Sequence, residues 1–88
     1  MTVTTTPNWT PLEVRLTSLS GQIDIIREFM WMYRAEDARI EYYKHRFTRR
    51  YLLLHEDGRC FRRAEAGLVE ADFERELRRV RCLIRRDK

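Results

Sequence analysis

Ten consecutive residues, Tyr42 to Tyr51, hold four aromatic rings, four permanent cations and a histidine. The rings are Tyr42, Tyr43, Phe47 and Tyr51, and the cations are Lys44, Arg46, Arg49 and Arg50. A chain this small cannot bury four Lys/Arg heads without partners, so the charge must face solvent or a ligand. Cations beside ring faces suit a polyanion with stackable bases, and nucleic acid is the first partner class to consider. In an extended segment Tyr43, His45 and Phe47 share one face, while Tyr42, Lys44 and Arg46 share the other. With helices covering one side, the Lys/Arg face points outward as a phosphate-tracking surface, joined by Arg49 or Arg50 and by Arg59 or Arg62. Tyr42 and Tyr43 are the candidate stacking rings. The plainer account is an Arg-rich chain with solvated cations and rings that are simply core.

Arg78, Arg81 and Arg85 form a second cluster. Their spacing of three and four puts them on one helical face, with Arg75 a turn earlier. Such a ridge can follow a phosphate backbone. Its bland version is a solvated exterior supported by an i,i+4 pair from Glu74 to Arg78. Binding requires the two clusters to meet on one exposed surface.

Charge is unevenly distributed along the chain, whose net value is +4. Residues 1–37 carry three basic and five acidic side chains, whereas residues 38–88 carry fifteen and nine. Sixteen of the eighteen cations are arginine, whose planar fork binds phosphate bidentately and stacks on rings. A GC-rich coding sequence would explain the arginine bias, but not the clustering.

Other chemistry finds little support. His45, His55, Cys60 and Cys82 are the soft ligands, and they lack the close pairing of a structural zinc site. Cys60 with His55 or His45 could be posed as a thiolate–imidazole pair, but a short meander offers little concavity. The expectation is therefore no catalysis, no metal, no cofactor and no small-molecule substrate. Without an apolar leader, a membrane-length run or a cysteine framework, an intracellular, cytoplasmic chain is expected, with no membrane partner.

The elements that position these residues follow from periodicity. Residues 1–9 read as a flexible arm and 10–88 as a single domain. Thr10, Pro11 and Glu13 predict a helix start with a T-x-x-E capping box, continuing to about 20 or 26, with Gly21 as the ambiguous end. Phe29, Trp31 and Tyr33 alternate as the ring face of a strand. A second strand begins at Ile40, and the chain continues or reverses near His45–Thr48. Residues 50–54 and 59–62 form strands around a hairpin at Asp57-Gly58. Val69, Phe73, Leu77, Val80 and Ile84 step by three and four as the stripe of a final helix. The fold is expected to be α+β: an antiparallel meander of three to four strands flanked by an N-terminal and a C-terminal helix.

This architecture supports two functions. One is a small regulatory module that holds nucleic acid through phosphate contacts. The other is a protein-interaction module, a homodimer or an adaptor of a larger machine, docking through Met30, Trp31 and Met32. A strand with large apolar groups on both faces needs cover on both sides, by helices or by a second chain.

Overall fold

A computed structural model describes residues 6–19 and 21–82. Helix α1 spans Thr10–Thr17 and is followed by a 3₁₀ helix at Gln22–Glu28. Five strands come next: β1 Phe29–Ala35, β2 Ile40–His45, β3 Tyr51–His55, β4 Cys60–Ala64 and β5 Gly67–Ala71. Helix α2, Phe73–Arg81, closes the domain. The strands pair antiparallel in chain order, so the α+β meander has five strands where the sequence predicts three to four.

The additional strand is β5, which the periodicity assigns to the final helix. Val69 lies one helical step before Phe73 and so prolongs the stripe on paper. In the structure Gly67 takes a φ of 123°, turning the chain at Glu65–Ala66 so that Val69 pairs with Arg62. The helix begins only after Asp72, whose side chain accepts a hydrogen bond from the Arg75 amide at 2.9 Å. Asp72→Ala is expected to lower stability by about 1 kcal/mol in urea unfolding, with Asp72→Asn close to neutral. Ile84, the last residue of the predicted stripe, lies outside the described residues.

The first helix also differs from its sequence reading. Its N-cap is Trp9 and no side-chain cap forms, so the predicted capping box is absent. Instead Asn8 Oδ1 accepts from the Thr10 amide at 3.2 Å. Gly21, at a φ of 74°, follows the end of α1 and caps the 3₁₀ helix. Pro11, Leu12 and Leu16 are buried by the amphipathic spacing of this short helix.

The core lies between the helices and one face of the sheet. Leu12 and Leu16 of α1 and Phe73, Leu77 and Val80 of α2 pack on Phe29, Tyr43, Leu52, Leu54 and Cys60. A smaller apolar cluster of Ile40, Tyr42 and Leu53 occupies the opposite face, partly covered by Phe61 and Leu68. A bulge in β1 decides which rings go where. Trp31 pairs with Tyr43 and Tyr33 with Tyr42, leaving Met32 as the extra residue. Inserting one residue reverses the alternation. Phe29 and Trp31 therefore face the helices while Tyr33 turns to the other side, which breaks the predicted ring face.

The ladder between β3 and β4 is limited to Leu53–Phe61 and Leu54–Cys60, whereas β4 and β5 pair over their full length. The β4–β5 hairpin thus parts from Tyr51 and opens a cleft between itself, β3 and α2.

Candidate nucleic-acid interface

The turn between β2 and β3 docks on the last turn of α2. His45 organises it. Its Nδ1 accepts from the amides of Phe47 and Thr48 at 3.3 and 3.2 Å. That bonding places the ring proton on Nε2, which donates to Glu28 Oε1 at 2.9 Å. Thr48 Oγ1 donates to the Val80 carbonyl at 2.6 Å. Arg50 Nη1 donates to the carbonyls of Arg79 and Cys82 at 2.6 and 3.2 Å, answering the partial negative charge at the helix end. Arg46 Nε donates to the Arg27 carbonyl at 2.9 Å, which ties the 3₁₀ helix to the same end.

These contacts join three cation-bearing segments, one with Arg27, one with Arg46, Arg49 and Arg50, and one with Arg78, Arg79 and Arg81. Two of these cations are balanced locally. Arg79 pairs with Glu76 at 2.8 Å. Arg81 grips Glu28 with Nε and Nη2 at 2.7 and 2.9 Å. Arg46 and Arg50 are exposed and bond to neutral carbonyls, and no carboxylate pairs with either among the described residues. Arg27, Arg49 and Arg78 are exposed and make no side-chain hydrogen bond or ion pair among the described residues. Arg85 lies outside those residues.

The remaining predicted contacts divide. Lys44 lies on the opposite sheet face, its Nζ 5.7 Å from the centre of the Tyr51 ring. Tyr43 is fully buried against the helices and donates its hydroxyl to the Asn8 carbonyl at 2.6 Å, so it cannot stack with a base. Tyr42 is also buried, covered by the parallel ring of Tyr33 at 4.4 Å. The accessible rings are others: Phe47, 65% exposed at the docked turn, with Tyr33 and Tyr51 at 48% and 37%. Alternation from Tyr42 across β3 was the available signal for Tyr51; Tyr33 required knowledge of the bulge.

Glu28 has a structural and an electrostatic role. Arg81 above all holds its carboxyl at about 2, below the ordinary 4.5; burial, the next largest influence, pushes the other way, and His45 adds to the lowering. A depressed carboxylate pKa means this stabilisation is complete above pH 4.5 and is lost as the pH falls toward 2. Glu28→Gln is expected to cost about 1–2 kcal/mol at neutral pH, after allowance for partial exposure, and to flatten the acid limb of the stability curve. The same change frees Arg81, so affinity for a polyanion should rise a few-fold while stability falls. Acid titration by circular dichroism and a binding isotherm would check the two signs separately.

A buried carboxylate fixes β1. Glu41 is 0% exposed and accepts from Trp31 Nε1 at 2.7 Å, from Asn8 Nδ2 at 3.1 Å and from Arg34. Arg34 also reaches Glu36 and Glu56 at 3.1 and 3.0 Å. Trp31 is thereby turned into the fold, Met30 lies on the opposite face across from Lys44, and Met32 is the exposed bulge residue. The three predicted interface residues therefore do not share one surface.

Cys60 and His55 also separate. Cys60 is buried on the helix side, and burial pushes its thiol up to about 12, while His55 lies opposite Ile40 on the other face. Among the described residues, no helix is long and apolar enough to cross a membrane. Comparison of the chain with protein-family models, curated proteins and solved structures finds no match to any of them.

Proposed function

We propose that this domain binds nucleic acid through its phosphates, using the β2–β3 turn and the C-terminal turn of α2 as one contact surface. The observation that carries this reading is the docking of the turn by Thr48 and Arg50 onto the helix end, and we read the two cationic stretches so joined as one cationic pole. Guanidinium groups so held track a phosphate backbone bidentately and without base readout. Backbone geometry adds support. Arg49 is held at a φ of 67°, where glycine would be easier by about 1–2 kcal/mol, yet an exposed guanidinium with no partner among the described residues occupies the position.

A salt titration tests the proposal. Neutralising about four phosphates of duplex DNA gives a log–log slope near −3.6, so affinity falls by roughly two decades between about 50 and 200 mM salt. A flat response, or no binding to duplex or single strand at low salt, would reject it.

A second reading, docking of another protein or a second copy, rests on β1. It is an edge strand of an open sheet, and Met32 is 39% exposed there. The bulge works against regular strand addition at this edge. Met32→Asp should shift a dimer toward monomer in sedimentation velocity without unfolding the chain; an unchanged sedimentation coefficient would remove this interface from consideration.

A further inference from the structure

We infer that the ligand is single-stranded, with a base entering the tyrosine-lined cleft beside the cationic pole. The inference rests on the phosphate-binding reading and specifies its substrate. The cleft has a volume of about 990 Å³ and is walled by Tyr33, Tyr42, Tyr51 and Leu53 on one side. Its other walls come from the β4–β5 hairpin and α2, including Arg62, Arg63, Glu70 and Arg75. That volume lies at the upper end of the roughly 300–1,000 Å³ typical of ligand clefts.

Two observations point to an unpaired base. Two rings present usable faces: Tyr33 and Tyr51 are 48% and 37% exposed, backed by the buried Tyr42, which stacks on Tyr33 and meets Tyr51 edge-on at 6.2 Å. Stacking on such rings requires a base free of its partner strand, whereas a duplex keeps its faces covered. The walls also supply both polar halves of a nucleotide. Arg62, Arg63 and Arg75 are exposed cations for phosphate, and Glu70 is an exposed carboxylate able to accept from an exocyclic amino group.

The cleft and the pole share Arg79. Arg50, adjacent in sequence to Tyr51, bonds to the carbonyl of Arg79, and Arg79 itself lines the cleft. Lys44 stands over the Tyr51 ring. A strand with its phosphates on Arg46, Arg49 and Arg50 passes directly to the tyrosines.

The test compares three labelled probes by fluorescence anisotropy at low salt: a short mixed-sequence single strand, its duplex, and an abasic sugar–phosphate strand of equal length. The base-bearing single strand should bind roughly ten- to a hundredfold more tightly than the abasic one. Tyr51→Ala and Tyr33→Ala should erase that difference, while Tyr51→Phe, which keeps the ring, should preserve it. Equal affinity for base-bearing and abasic strands, or a duplex bound as tightly as the single strand, would overturn the cleft inference and leave the cationic pole standing. Failure of all three probes to bind would overturn both.

Discussion

Glu41→Ala is expected to destabilise the domain by about 3–5 kcal/mol, the scale seen when one partner of a buried ion pair is removed. The change leaves the Arg34 guanidinium without its innermost carboxylate and deprives Trp31 Nε1 of its acceptor. Asn8, which ties the chain before α1 to the sheet, loses its side-chain contact as well. At about 4–8 °C per kcal/mol for a domain of this size, the melting temperature should fall by roughly 12–40 °C. Glu41→Gln keeps an acceptor for Trp31 but loses the ion pair and should fall in between. Pairing Glu41→Ala with Arg34→Leu should recover part of the loss, because the orphaned charge is removed. If thermal melts followed by circular dichroism show Glu41→Ala within about 1 kcal/mol of the parent, the network is not what holds β1 in place.

The largest binding effect is expected from Arg27→Ala, Arg49→Gly and Arg78→Ala combined. These side chains have no structural bond among the described residues, so the fold should be retained. At position 49, glycine relieves the left-handed strain, which offsets the greater freedom of the unfolded chain. The salt slope should become shallower by roughly three, and affinity should drop by about two to three decades at about 50 mM salt. The loss should be uniform across unrelated sequences; loss confined to one sequence would contradict backbone recognition. Arg46, Arg50 and Arg81 are poorer probes, since each also holds the turn, the helix end or Glu28, and their loss mixes folding with binding.

Local chemistry made part of this structure legible. The Asp57-Gly58 hairpin forms, with Gly58 at a φ of 101°, and Phe73, Leu77 and Val80 face the core as their spacing requires. Strand β5 was hidden because a four-residue step from Val69 to Phe73 satisfies a helical period as readily as a strand followed by a helix. The faces of Tyr42 and Tyr43 follow from alternation, but which face the helices cover is a tertiary fact. Arg50 looked like a solvated cation because its acceptors lie 29 and 32 residues away. The docking of the β2–β3 turn on the end of α2 depends on that contact and on Thr48, and neither has a local signature.

Met32 is a spacer that the ladder itself does not use. With this one residue removed, Trp31 would still meet Tyr43, Tyr33 would meet Tyr42 and Arg34 would meet Glu41, now as uninterrupted neighbours. A shortened variant should therefore keep its dry layer and its tyrosine platform. It would lose the irregularity that guards the outer edge of β1, and should self-associate more readily through that edge.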